Sequence, residues 1–288
     1  MKKILITGGT GFIGSELSEY FLKKKYKVIS TTRSKQKIKK KYILKFQNLK
    51  KKIKINFYPD VIIHCASEMP SKGSKGIKMY KNNVLSMKNI LDFARIKNVK
   101  KIFNMSSMSV YGDINVGKVN LSTKPNNTEY YGKSKLFNEK LLKNYCKKNK
   151  KLGFSFRLPG VVGKNSHSNF ISNSILRLKK NEKIIAFNKF SKFNNIILAE
   201  DLAKFIHKLI KKKKFSDKYY NFNIASSAPV KINDVLKILK KNMKSNSNVI
   251  FRKSKKKSFI INFKETKNCG YEPKTTEETL KKLAKISK

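Results

Sequence analysis

Hydrophobic and polar positions along the chain follow two alternating patterns. Short runs of apolar residues at Lys3–Thr7, Lys27–Thr31, Asp60–Cys65, Lys101–Met105 and Phe154–Leu158 predict strands buried on both faces. Between them, apolar residues recur at helical spacing over Phe12–Lys24, about 83–96 and about 131–149. Strands alternating with helices predict an α/β fold with a doubly wound parallel sheet covered on both faces. After Pro159 the regularity fades. Short helices near 170–180, 200–211, 232–242 and 276–286 mix with short strands near 183–187, 220–223 and 248–251. That mixture predicts a smaller α+β C-terminal lobe. The division expected is 1–165 for the sheet domain, with 193–210 returning to it, and 166–192 plus 211–288 for the lobe.

The turn after the first strand reads Thr7-Gly-Gly-Thr-Gly-Phe-Ile-Gly14. Gly8 allows a tight turn, Gly11 lets backbone approach a pyrophosphate, and Gly14 lets the next helix sit close to the strand. A glycine triplet alone is weak evidence. Its place between a strand and an amphipathic helix makes it a Rossmann-type dinucleotide loop, with Phe12 and Ile13 opening the phosphate-facing helix. A carboxylate about 20 residues further on normally holds the ribose 2′-hydroxyl. This chain has Thr32 there, followed by Arg33, which suits a 2′-phosphate. The residues therefore favour NADP, with NAD as the alternative.

Tyr131-Gly-Lys-Ser-Lys135 places a phenol and an ammonium on one helix face. For proton transfer near neutrality the phenol pKa has to fall from about 10 towards 7, roughly 4 kcal/mol between protonation states. A nearby ammonium supplies an effect of that order. In so lysine-rich a chain the spacing occurs by chance, and Tyr20/Lys24 repeats it. Tyr131 stands out by position: its helix follows a strand ending in Met105-Ser-Ser-Met-Ser-Val-Tyr-Gly112, and ligands of open α/β sheets bind at such strand ends.

Charge adds a competing reading. The 288 residues carry a formal net charge of +51. Arg33, Arg95, Arg157, Arg177 and Arg252 are the only arginines among 68 basic residues. Nucleic-acid interfaces favour the bidentate arginine fork, and these lysines are spread along the chain, so solvated lysine faces explain them better. Cys65, Cys146 and Cys269 cannot all pair and show no C-x-x-C spacing. That predicts a reduced, cytoplasmic setting and no metal site. No apolar run approaches the roughly 18–20 residues of a membrane span.

TGGTGFIG, DVIIHCAS, MSSMSVYG, YGKSK, RLPGVVG and AEDLA occur in the order seen in the NAD-dependent epimerase/dehydratase family, the extended branch of the short-chain dehydrogenases. The chain resembles that family over essentially its whole length, including Asn268-Cys-Gly-Tyr-Glu-Pro273 near the end. The resemblance implies a nucleotide-sugar enzyme with catalytic Ser107, Tyr131 and Lys135. It implies cofactor contacts from Ala66, Ser67, Asn83, Lys135 and Pro159 besides the glycine loop, with His64 lining the cleft through its backbone. Asn169 resembles a diphosphate-contacting Asn, and Arg252 is expected to supply further charge to the substrate. A homodimer through the helices near 83–96 and 131–149 is also implied.

Members that are 4,6-dehydratases carry an Asp-Glu pair after the catalytic Ser/Thr. Met108 and Ser109 stand here and argue against that branch. A 4-keto-sugar reductase or a 4-epimerase remains. Two departures touch the substrate side: Gly160 replaces an Asn, and Asn194 stands where many epimerases grip the diphosphate with Arg. Readings from other classes are a non-catalytic NADP(H)-binding regulator and a lysine-rich nucleic-acid-binding protein.

Overall fold

The computed structural model describes residues 1–34, 41–70, 75–254 and 257–288. The first elements are β1 (Lys3–Thr7), α1 (Phe12–Lys23), β2 (Lys27–Thr32), β3 (Ile43–Phe46) and β4 (Val61–His64). Next come α2 (Gly76–Ile96), β5 (Lys101–Ser107), a 3-10 turn (Met108–Tyr111) and α3 (Tyr130–Asn149). They build a seven-stranded sheet in the order Tyr219–Asn223, Leu152–Leu158, β5, β4, β1, β2, β3. The pairings from β5 across to β3 are all parallel. This is the α/β Rossmann-type architecture expected. The chain runs from β1 outward to β3 and then returns to β4 on the other side of β1. That reversal opens a crevice beyond the C-terminal ends of β1 and β4.

The central strands are apolar because both faces are covered. Ile4, Leu5 and Ile6 of β1 and Ile62 and Ile63 of β4 are fully buried. On one face Leu5 and Ile62 join Met87, Ile90 and Ala94 of α2 and Leu142 and Cys146 of α3 in one core cluster. Elsewhere in the sheet Phe103 stacks on Phe154 at 4.8 Å between centroids. β3 is only four residues long and is not among the strands that the sequence predicts. It is an edge strand with Ile43 and Phe46 half in solvent, so its residues need not read as core. α2 begins at Gly76 rather than near 83, since its first two turns bury only Met79.

Contacts divide the described chain into two compact units. The first comprises Met1–Asp113, Lys124–Arg157 and Ile206–Phe222; the second comprises Ile114–Thr123, Leu158–Phe205 and Asn223–Lys288. These boundaries differ from those read off the sequence. Residues 206–222 fall with the sheet because Tyr219–Asn223 is its edge strand, and because the Lys101 ammonium grips the carbonyls of Leu209 and Ile210. Residues 114–123 leave it because Lys118–Val119 pairs with Ile260–Ile261. In the second unit, Gly160–Val162 pairs with Ile196–Leu198, and Ile184–Phe187 with Val249–Arg252. Its core joins Val162, Ile171, Ile175, Leu236, Leu239 and Leu280.

Candidate active site

The glycine turn takes the shape its residue types require. Gly8 adopts φ +73°, the left-handed region that favours glycine. A Cβ on Gly14 would lie 2.2 Å from the Gly8 carbonyl, so only glycine lets α1 start this close to β1. The N-cap of α1 is Gly11, which has no side chain to satisfy the amides of the first turn. A helix start of this kind directs its first-turn backbone towards a bound anion. Gly8 and Gly11 border a groove of about 270 Å³ within the first unit, lined also by Thr32, Arg33, Ala66, Ser67 and Asn83; Phe12 and Ile13 are not among its lining residues. A dinucleotide pyrophosphate fits this cradle of glycines and polar walls.

The wall opposite the glycine turn is braced by buried hydrogen bonds. The Thr7 hydroxyl accepts from the amides of Cys65 and Ala66, both at 3.1 Å, and pairs with His64 Nδ1 at 2.8 Å. With both amides donating to it, the hydroxyl gives its own proton to Nδ1, which leaves the ring proton on Nε2. Burial, with the Lys135 charge adding to it, lowers the His64 pKa to about 3. The imidazole therefore stays neutral and holds the wall through its side chain. Asn83 does more than border the groove. Its Oδ1 accepts from the Glu68 amide at 2.8 Å, and its Nδ2 donates to Ser134 Oγ at 3.2 Å. The α2 side chain thus ties the loop after β4 to the turn of α3 that carries Tyr131 and Lys135.

Tyr131 and Lys135 lie at the end of β5, as the helical spacing predicts. The Lys135 ammonium donates to the Met105 carbonyl at 2.8 Å and sits 5.5 Å from the centroid of the Tyr131 ring. Gly132 explains how the 3-10 turn reaches them. A Cβ there would fall 2.0 Å from the Ser109 carbonyl, so its absence lets the turn pack directly on α3. Ser107 caps that turn: its hydroxyl accepts from the Ser109 amide at 3.1 Å and donates to Ser109 Oγ at 3.1 Å. These bonds are those of the capping reading of Ser107.

The electrostatics correct one expectation. The spacing predicts a Tyr131 phenol pulled down towards neutrality by the Lys135 ammonium. Burial instead pushes Tyr131 up to about 12, with a hydrogen bond from Ser67 working the other way. Burial also lowers Lys135 to about 8, against the pull of Cys65 and Glu139. Desolvation dominates because both groups are enclosed and the ammonium points at a backbone carbonyl.

Beneath these groups lies an ion pair that the sequence reading missed. Glu139, two helical turns beyond Tyr131, accepts from Ser106 Oγ at 2.6 Å and pairs with Arg157 Nη2 at 2.7 Å. Arg157 also donates to the Tyr111 hydroxyl at 2.8 Å, and the Tyr111 side chain is buried. The signal available was Arg157 itself, one of five arginines and placed within a buried strand.

The remaining candidates, Pro159, Asn169 and Arg252, belong to the second unit. Asn169 caps the helix Phe170–Lys179, its Oδ1 accepting from the Ser172 amide at 2.9 Å. Arg252 is the exposed end of the strand Val249–Arg252, and its carbonyl accepts from the Asn188 amide at 3.1 Å. Asn194 is buried, and its side chain is taken up by the backbones of Ser226 and Ile261. This Asn is a structural pin. Also missed among the groove-lining residues were Asn48, Lys50, Glu68 and Asn82. Two of them follow β3, the strand that the sequence does not predict.

Residues 4–225 match the model of the NAD dependent epimerase/dehydratase family. A Methanocaldococcus jannaschii protein named provisionally as a UDP-glucose 4-epimerase is 27% identical, over 94% of this chain and 93% of its own length. The CDP-abequose synthase of Salmonella muenchen is 24% identical, over 86% of this chain and 83% of its own. The crystal structure of UDP-glucose 4-epimerase from Thermus thermophilus in complex with NAD superposes with a TM-score of 0.80 at 19% identity, covering 99% and 98% of the two chains. The chain thus belongs to the NAD dependent epimerase/dehydratase family and is a nicotinamide-dinucleotide enzyme of the extended short-chain dehydrogenase type.

Proposed function

We propose that the protein is a nucleotide-sugar oxidoreductase acting at the sugar C4, either a 4-keto-sugar reductase or a 4-epimerase. The observation that carries this reading is the placement of Tyr131 and Lys135 at the end of β5 beside the glycine cradle, with Ser107 on the turn packed against them. Residues serving only to bind a dinucleotide would not require a half-buried phenol beside a buried ammonium at that strand end. Met108 and Ser109 provide no acid and base for eliminating water, which keeps the dehydratase branch disfavoured.

A nicotinamide dinucleotide held in the groove supplies the two-electron exchange. The chain's own residues handle the proton and the orientation. Ser107 and Tyr131 hydrogen-bond the reacting oxygen at C4, and the Tyr131 hydroxyl gives its proton to a ketone being reduced. Burial raises the phenol to about 12, so it is protonated at neutral pH, the state in which it can give a proton to a ketone. In the epimerase direction Tyr131 must act as a base, and the positive charge of an oxidised nicotinamide together with Lys135 then lowers its cost of ionisation. Lys135 would also hold the nicotinamide ribose. Asn169 and Arg252 are assigned to the substrate diphosphate, and Pro159 to the cofactor side. A reduced cytoplasmic setting belongs to this reading, as does a homodimer through α2 and α3, supported by exposed Ile77, Leu85 and Phe137.

The test is turnover. Purified protein is incubated with NADH or NADPH and UDP-, GDP-, CDP- and dTDP-linked sugars, including 4-keto forms, and products are read by mass spectrometry and NMR. Conversion of at least one is expected. Failure across the panel, with the dinucleotide bound, contradicts the nucleotide-sugar reading.

A further inference from the structure

The groove holds a charge arrangement that the strand-end pattern alone does not foresee. Rossmann-type sites meet the adenosine ribose at the end of the second strand. Here Thr32 is buried at that place, and its hydroxyl accepts from the Ser34 amide at 3.1 Å. Arg33 follows, and its guanidinium is not waiting for a ligand: it lies 3.5 Å from Glu68 Oε1. The Lys50 ammonium converges on the same oxygen at 3.9 Å, and Asn82 Nδ2 donates to Oε2 at 2.9 Å. Glu68 comes from the loop after β4, and its backbone N–H and carbonyl are both held by the Asn83 side-chain amide. Among the described groove-lining residues it is the single acid, and Arg33 and Lys50 are the two cations.

We infer that Glu68 sets the selectivity of this site at the dinucleotide 2′-position, by holding the two cations that a 2′-phosphate would need. The inference rests on the reading of the groove as the dinucleotide site. A 2′-phosphate brings about −1.5 to −2 charges and strong acceptor oxygens. To use Arg33 and Lys50 it must compete with the carboxylate, which stays beside it as a like charge because the Asn82 bond and the pinned backbone keep Glu68 in place. A 2′-hydroxyl meets no such penalty, since it leaves the pair intact and can donate to the same carboxylate. Arg33 read alone favours NADP. Arg33 read with Glu68 favours NAD, so the carboxylate that dinucleotide sites usually place at the strand end is here delivered from the next loop.

Calorimetric titration of the full chain with NAD and with NADP, without any sugar substrate, tests this through binding alone. The wild type is expected to bind NAD more tightly. Glu68→Gln keeps the side-chain shape and an acceptor for Asn82 while removing the charge. It should tighten NADP about tenfold and change NAD less than threefold. Adding Arg33→Ala to Glu68→Gln should abolish that gain. Glu68→Asp, which keeps the charge, should retain the preference for NAD. Equal changes for the two dinucleotides in Glu68→Gln overturn the selectivity assignment and leave the dinucleotide reading standing. Binding of neither dinucleotide by any of the four proteins overturns both.

Discussion

Two helices of this protein carry the same Tyr-x-x-x-Lys spacing and do different things with it. On α3, Lys135 is buried and bonded to the Met105 carbonyl, and Tyr131 is enclosed beside Ser67 at the end of β5. On α1, Lys24 is the exposed C-cap residue, 5.9 Å above the Tyr20 ring, and Tyr20 packs edge-on against Phe21 and His207. The first pair opens its helix and the second closes one. A helix start above a parallel sheet faces the ligand crevice, whereas a helix end lies at the opposite edge of the strands. Spacing alone therefore carries little chemistry. The end of the helix on which the pair sits, and how far it is desolvated, separates a candidate acid from a surface tyrosine.

Substitutions that remove one pair and then the other sharpen the contrast. Tyr131→Phe should lower kcat on the responding sugar on the order of 10³-fold, measured by steady-state assay, while Tyr20→Phe should leave it within about twofold. Lys135→Met should lower turnover on the order of 10²-fold, and it should also change how stability depends on pH. The Lys135 pKa is depressed to about 8 in the folded chain, against 10.5 for the free side chain. The unfolded state therefore binds more protons between those values, and the buried ammonium costs stability most fully below about pH 8. That cost is relieved as pH rises towards 10.5. Chemical denaturation between pH 7 and 9.5 should show wild-type stability rising more steeply with pH than that of Lys135→Met. Parallel slopes would mean that the ammonium is not desolvated in solution.

Gly132→Ala should cost about 1–3 kcal/mol through overpacking against the Ser109 carbonyl, seen as a lower Tm, with activity falling because the Ser107 turn is pushed off α3. The smallest effect belongs to the surface pair: Lys24→Met should shift stability by no more than about 0.5 kcal/mol. A loss from Lys24→Met as large as that from Gly132→Ala would erase the distinction between the two helices.

How legible each part was follows from what local sequence can encode. The glycine turn could be read because Gly8 and Gly14 answer backbone constraints that no other residue meets. β1 and β4 could be read because strands buried on both faces must be apolar. β3 was hidden because an edge strand with exposed Ile43 and Phe46 has no such requirement, and Asn48 and Lys50 were hidden with it. Glu68 was missed for another reason. Its partners, Arg33, Lys50 and Asn82, come from three other segments, so only the fold brings them together. Its scarcity was the available hint, since 17 acidic residues stand against 68 basic ones. Tyr131 and Lys135 were found by position, but the direction of the Tyr131 shift was not, because burial depends on packing that spacing does not report. Asn194 shows the same limit: the sequence marks it as a departure, and only the second unit's backbone reveals why an amide sits there.

The central claim is that Tyr131 donates a proton while hydride reaches the sugar C4. The most direct measurement presents a 4-keto nucleotide sugar to the protein with NADH or NADPH deuterated at the transferable position, and locates the label by NMR. Deuterium at the sugar C4 is expected, appearing on the order of 10³-fold more slowly in Tyr131→Phe while dinucleotide affinity stays within threefold. A product without label at C4, or label transferred equally fast by Tyr131→Phe, would contradict the account.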